Sequence, residues 1–366
     1  MRGADPALVR RALADRDPLP GTTGFAGALD GRLVRDVLGR EPLYAERASD
    51  GWSHDPADLA DPVAVPAGHV RSLAGREEGG ETDRVWRLPD PEPVAGQEAV
   101  RSVRRALDGV LGEVAARGTD GLAVAFSGGV DSALLAARLE VPLYVAGFPG
   151  SGDVAAAREG ARLLGREADL RVVELDHDRL RAAVPDVVAA TGRTDPMDVG
   201  IALPLFLVAR RAAADGHDRL ALGQGADELF GGYDKVASAP EDPRVEADTV
   251  RGARREVLGS LSDQLPRDTL ALRAAGVEPV TPLLDDRVVR AALALDGDAL
   301  ASDGERKRAL RLAARAWLPD RLAFREKRAL QYGSHVDREL ARLARQNGFK
   351  PRMEDNVERY VASLVD

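Results

Sequence analysis

The stretch Leu122–Leu139 reads LAVAFSGGVDSALLAARL. A compact apolar run, LAVAF, enters it. An amphipathic run, DSALLAARL, leaves it. The first has the pattern of a buried strand and the second that of a helix, so SGGVDS is a strand-to-helix turn. In sheets built from strand–helix–strand units, ligands gather outside the carboxyl ends of the strands, where this turn sits. Its two glycines let the backbone approach a ligand and present a nest of N–H groups. The helix N-terminus adds partial positive charge, and Ser127 and Ser132 add hydroxyls. Ser127, Gly128, Gly129 and Ser132 therefore read as a phosphate cradle. The turn is neither G-x-x-x-x-G-K-[ST] nor G-x-G-x-x-G. Asp131 is the odd member. A carboxylate inside a phosphate cradle repels its ligand unless a cation lies between them, and a hard divalent ion, Mg²⁺, meets that need. The plain structural alternative is a glycine-rich turn in which Asp131 opens the helix and Ser127 caps it.

The flanking sequence repeats the alternation. AVRSVRRALDGVLGEVAARG (99–118) is an amphipathic helix. VPLYVAGF (141–148), RVVEL (171–175) and RLALGQG (219–225) contain further strands. DVAAAREGARLLG (153–165) and PLFLVARRAAADG (204–216) are helices between them. Strands alternating with helices predict an α/β fold, a parallel sheet flanked by helices. From about Asp248 the chain reads as mostly helical. Residues 1–75 are short elements broken by Gly and Pro, a small α+β part. The charged, Pro- and Gly-rich stretch from Ser72 to Pro93 reads as a linker. The expected organisation is thus 1–75, a linker over 76–94, and 95–366.

Composition narrows the function. The 366 residues are 44% hydrophobic, enough for a real core. No run of 18 apolar residues occurs, so no membrane span is expected. The charged start, MRGADPALVRRALADRD, has no apolar core of a signal peptide, which points to the cytoplasm. Cysteine is absent, which excludes disulfides, thiolate metal sites and a Cys nucleophile. A net charge of −9 argues against a nucleic-acid-coating protein. Of 51 basic residues only Lys235, Lys307, Lys327 and Lys350 are lysines. A lysine kept in an arginine-rich chain marks a place where a compact ammonium suits better than a planar guanidinium.

A second turn follows the fourth strand, RLALGQGADELFGGYDK (219–235). A short apolar strand again ends in glycines, then Asp227 and Glu228. If both turns lie at one sheet edge, Asp131 and Asp227 can share a metal. The plain alternative is that Asp227 and Glu228 complement a helix dipole.

SGGVDS resembles the pyrophosphate loop of the N-type ATP pyrophosphatases (PP-loop, adenine nucleotide alpha hydrolase-like). GQGADELFGGY resembles the second signature of the asparagine synthetase family. DTLALRAAGVEPVTPLLDDRVVRAAL (268–293), ERKRALRLAARAWLP (305–319) and FREKRALQYGS (324–334) resemble its later segments in the same order. The ordered motifs cover about 95 to 345 and are specific to the synthetase domain. DGRLVRDVLGREPLYAE (30–46) and WSHDPADLADPVAVPAGHV (52–70) resemble, more weakly, the distal half of a class II glutaminase domain. That family's nucleophile is an N-terminal Cys. Position 2 here is Arg, so residues 1–75 are expected to be a shortened, inactive remnant packed on the synthetase domain.

The resemblance implies carboxylate activation by ATP and amide formation with ammonia, from solution or from a separate glutaminase. The carboxylate would be aspartate. It implies ATP on Ser127, Gly128, Gly129, Asp131 and Ser132, with adenine against the second strand at Val145, Gly147 and Phe148. Gly223, Gly225, Glu228 and Tyr233 would complete the nucleotide site. Asp131 and Asp227 would hold Mg²⁺. Lys327, Lys307 and Asp227 would carry the chemistry, Lys327 near the α-phosphate. A homodimer is compatible with this reading. One departure stands out: the family's usual Glu before the second signature's Gly is Gln224, which cannot act as a base. Adenylation of a different acceptor, lactam-forming or nucleobase-modifying, is one alternative. A degenerate nucleotide-binding regulatory protein is another, though Asp131, Asp227 and Lys327 are all present.

Overall fold

The computed structural model describes residues 1–73, 82–239, 241–326 and 332–365. They form two compact units, each assembled from separate stretches of chain. The sheet unit comprises Thr119–Leu222, Arg267–Val280 and Leu318–Asp366. The N-terminal unit comprises Met1–Gly118, Gly223–Pro266 and Thr281–Trp317.

The sheet unit is α/β, as the alternation predicts. Its strands are β1 (Leu122–Ala125), β2 (Leu143–Gly147), β3 (Leu170–Glu174), β4 (Arg219–Ala221) and β5 (Glu278–Val280). They lie in the order β3-β2-β1-β4-β5, and every neighbouring pair is parallel. Helices α1 (Val130–Leu139), α2 (Gly152–Leu163), α3 (His177–Thr191), α4 (Pro196–Ala214) and α5 (Tyr332–Gln346) flank the sheet. Continuous apolar runs suit strands covered on both faces, and Val124, Tyr144, Val145 and Leu220 are fully buried. Leu180, Val184, Leu203, Phe206, Val336 and Leu340 join Tyr144 and Leu220 in one core.

Two elements were not anticipated from sequence. The first is α3, although Asp176 caps it by accepting from the Arg179 N–H and Gly192 ends it. The second is β5, whose Pro279 argues against a strand. The ladder shows why proline is tolerated. The Leu222 N–H donates to the Val280 carbonyl at 2.9 Å, and the Glu278 N–H donates to Asp218 at 2.8 Å. Along a strand successive groups alternate in direction, so the Pro279 nitrogen faces the open edge.

The N-terminal unit holds an antiparallel sheet of Ala26–Leu29, Arg32–Arg35, His69–Ser72 and Thr82–Arg84. A smaller sheet joins Trp52–Ser53, Tyr44–Glu46 and Pro62–Ala64. The stretch read as a linker is partly built into this unit. Thr82–Arg84 pairs with the third strand, and Trp86, 2% exposed, packs edge-on against Phe25. An apolar Val85–Trp86 pair amid charges anchors it. The helix Gly96–Ala116 buries Ala99, Val103, Leu107, Val110 and Leu111, one stripe at helical spacing.

Buried charge ties early residues to late ones. Arg40 donates to Asp36 at 2.8 Å, to Asp286 at 2.7 Å and to the Leu284 carbonyl at 2.7 Å. Asp286 also accepts from the Gly21 and Thr22 N–H groups. Arg35 donates to Val65, Gly39 and Ser262 carbonyls. Backbone groups meet most of the remaining polar valences of these charges, while Arg40 Nη2 stays buried without a hydrogen bond.

Candidate functional site

The sheet order reverses between β1 and β4: β2 and β3 lie to one side of β1, β4 and β5 to the other. The carboxyl edge at such a reversal is where open α/β sheets bind ligands. SGGVDS follows β1 there, and Gly223 follows β4 and Leu222. Their register pairs Ala221 with Val124, so the two chain segments leave neighbouring strands at the same edge.

The first turn is a cradle. Gly129, not Ser127 or Asp131, is the N-cap of α1, and no side chain caps the helix. First-turn N–H groups have no intrahelical acceptors, which gives such a turn the character of an anion cradle. Ser132 is turned back into the loop: its hydroxyl accepts from the Ser127 N–H at 3.1 Å and donates to the Gly129 carbonyl at 3.2 Å. Ser127 Oγ lies 3.3 Å from Ser132 Oγ. Gly128 has φ of 74°, and a β-carbon there would stand 2.3 Å from the Ala156 carbonyl oxygen. Only glycine fits.

The neighbouring strand carries the expected base-binding residues. Val145 is fully buried in β2. Gly147 ends β2, and a β-carbon there would meet Val154 and Ser151 at 2.6 and 2.7 Å. Phe148 follows, half-buried, its ring 6.2 Å from that of His177.

The second signature belongs to the N-terminal unit. Gly223 and Gln224 lead to Gly225, the N-cap of the short helix Ala226–Phe230. Leu284 packs directly on Gly225. Asp227 pairs through Oδ1 with the Lys307 ammonium at 2.8 Å; the side chains are 29% and 5% exposed. Glu228, 6% exposed, accepts from the Tyr233 hydroxyl at 2.5 Å. Desolvation, then the Asp227 charge beside it, pushes the Glu228 carboxyl above its ordinary range. Lys307 also has a plain reading, a solvated helix residue. Its burial and pairing remove that reading, and the scarcity of lysine was the signal.

Hard carboxylate oxygens and a backbone nest suit a magnesium–nucleotide, since Mg²⁺ takes one or two carboxylates and completes its shell with phosphates and water. Asp131 stands in the sheet unit and Asp227 in the N-terminal unit. Lys327 lies outside the described residues. Gly232 and Arg306 were missed by sequence reasoning. A β-carbon on Gly232 would stand 1.9 Å from Asp227 Oδ1 and 2.4 Å from Lys307 Cε. Arg306 donates to the Gly232 carbonyl at 3.0 Å and pairs with Asp234 at 2.8 Å.

The family model described as asparagine synthase matches residues 102–274 and 251–360. The chain belongs to the asparagine synthase family. It is 31% identical over 307 residues to a putative asparagine synthetase [glutamine-hydrolyzing] of Methanocaldococcus jannaschii, covering 74% of this chain and 56% of that protein. It is 30% identical over 235 residues to asparagine synthetase B [glutamine-hydrolyzing] of Escherichia coli, covering 57% of this chain and 41% of that protein. The chain spans about half the length of these curated relatives. Among the described residues no helix is long and apolar enough to cross a membrane.

Proposed function

We propose that this chain is an ATP-dependent amide ligase. It adenylates a carboxylate, that of aspartate, and transfers ammonia to it with release of AMP and pyrophosphate. The observation that carries the reading is the uncapped, glycine-lined turn after β1 at the reversal of sheet order, in a chain whose family is named for this reaction.

Backbone N–H groups of Val130 to Ser132, with Ser127 and Ser132 hydroxyls, hold the pyrophosphate part of ATP. Adenine lies against the end of β2 at Val145, Gly147 and Phe148. Asp131 and Asp227 are the ligands for Mg²⁺, which when bound supplies positive charge to the phosphate oxygens. The substrate carboxylate oxygen attacks the α-phosphorus and pyrophosphate leaves. The acyl carbon of the adenylate is then attacked by ammonia and AMP leaves. Lys327 stabilises charge at the α-phosphate. Glu228 and Tyr233, hydrogen-bonded to each other, border the site. Gln224 cannot take a proton, so the amine arrives neutral. Residues 1–75 act as a glutaminase-like module and 95–366 as the ATP-binding domain. With no cysteine in these 366 residues to serve as a glutaminase nucleophile, nitrogen reaches this site as ammonia. The protein works in the cytoplasm, and a homodimer is compatible with the reading.

The test is incubation with ATP, Mg²⁺, aspartate and ammonium, with asparagine and AMP measured by mass spectrometry. Both should appear in equal amounts and vanish in Asp131→Ala. AMP without asparagine would overturn the aspartate assignment while keeping adenylation.

A further inference from the structure

We propose that His177 is a positioning residue for the nucleotide base: anchored on Glu339, it holds the ring of Phe148 in the orientation that receives adenine. The proposal rests on the reading of Phe148 as part of the base site, and all three residues belong to the sheet unit.

The backbone brings the two rings together. Phe148 leaves β2 at its carboxyl end, directly after Gly147. β3 runs parallel to β2 with Glu174 opposite Gly147, and the Leu175 N–H extends the ladder by donating to the Gly147 carbonyl at 3.0 Å. Asp176 then caps α3, its side chain accepting from the Arg179 N–H at 2.7 Å. His177 is therefore the first residue of α3 and stands at the same sheet edge as Phe148. The ring centroids are 6.2 Å apart and the planes are inclined at 59°, within the range of an aromatic contact.

The His177 ring is itself tied down. Its Nε2 lies 2.5 Å from Glu339 Oε2 on α5. An ionised carboxylate only accepts, so Nε2 carries the proton and donates. The Arg342 guanidinium stands 3.6 Å from the same oxygen, three residues further along α5. Phe148 rests partly on the core of the sheet unit and is half-buried. A half-buried ring that turns freely must be ordered when a base is laid against it, and that ordering costs affinity. A ring held in advance avoids the cost. A plain tie between α3 and α5 would need the His177–Glu339 bond alone, not an anchored ring set against Phe148.

The experiment is calorimetric titration of the full chain with the non-cleavable analogue α,β-methylene-ATP and Mg²⁺, with circular dichroism as the folding control. His177→Ala should weaken binding about fivefold, the effect of freeing one side chain. Phe148→Ala should weaken it as well. In a Phe148→Ala background His177→Ala should cost nothing further, because its effect passes through that ring. Glu339→Ala should weaken binding in the same direction, and Glu339→Gln, which keeps an acceptor for the Nε2 proton, should recover most of that loss. A plain tie between α3 and α5 would instead lower affinity by the same factor with and without the Phe148 ring. Wild-type affinity in a folded His177→Ala, or losses that multiply in the double variant, would overturn the proposal. If His177→Ala does not fold, Glu339→Ala and Glu339→Gln decide, and equal affinities in those two would overturn it. If Phe148→Ala leaves affinity unchanged, it is the base-site reading itself that fails.

Discussion

The carboxylate of Asp337 lies against Gly200: Oδ1 would stand 1.8 Å from a β-carbon built on that glycine. Gly200 is in the second turn of α4 and Asp337 in the second turn of α5, both within the sheet unit. The oxygen is buried and makes no hydrogen bond. Desolvation, and then the like charge of Asp195, push the carboxyl up to about 6. Burying an ionised group without a partner is unfavourable, so folding favours the neutral acid and holds the proton to higher pH than in the unfolded chain.

That preference makes stability depend on pH. The native value lies above the ordinary aspartate value, so the contribution is complete below about pH 4 and is lost as pH rises through about 6. Asp337 is only partly buried, and solvent screening limits the change to about 1 kcal/mol. Asp337→Asn should remove it. Urea midpoints at pH 4.5 and 7.5 are the measurement: the variant should gain on wild type only at the higher pH. An equal shift at both would sink the assignment.

The same contact predicts a cost for the smallest side chain. Gly200→Ala should destabilise the sheet unit by about 1–3 kcal/mol, because a methyl must displace the Asp337 carboxylate between two packed helices. The double variant Gly200→Ala, Asp337→Ala should recover most of the loss. Thermal or urea unfolding of the four proteins forms the cycle. Simple additivity would mean that the two residues do not meet.

Arg40 holds two buried carboxylates. Arg40→Met leaves Asp36 and Asp286 without their cation and should destabilise the N-terminal unit by about 3–5 kcal/mol. Hydrogen exchange resolved by peptide should show the loss around Thr22 and Asp286, whose backbone and side chains share the network. A change below about 1 kcal/mol would contradict the buried-pair account.

Gly128 tests the cradle. Gly128→Ala adds a methyl at φ 74°, 2.3 Å from a carbonyl oxygen. A strain of about 1–3 kcal/mol should distort the turn and weaken α,β-methylene-ATP binding roughly tenfold or more. Calorimetric titration with circular dichroism as a folding control is the check. Unchanged affinity in a folded variant would remove this turn from nucleotide binding.

The parallel sheet was legible because its signals are local. LAVAF, LYVAG and RLA are short apolar runs, and SGGVDS carries its glycines and hydroxyls within six residues. The same locality explains the misreading around Val85–Trp86, where two apolar residues were outweighed by charged neighbours. It also explains β5: Pro279 is a breaker by its own chemistry, and its tolerance depends on which edge of the sheet it faces.

The amino-acid sequence alone thus determined the α/β class, the turn after β1 and the family's ordered motifs, because periodicity and turn chemistry act over a few residues. Tertiary structure decided which charges are buried and with whom. Arg40 meets Asp286 across 246 positions, Lys307 meets Asp227, and Asp337 meets Gly200. Each is a pairing of one residue with another distant in the chain, and the free energy of a charge depends on what surrounds it when folded. No local pattern carries that information: the scarcity of lysine singles out Lys307 in sequence, but only the fold shows that it is buried on the Asp227 carboxylate.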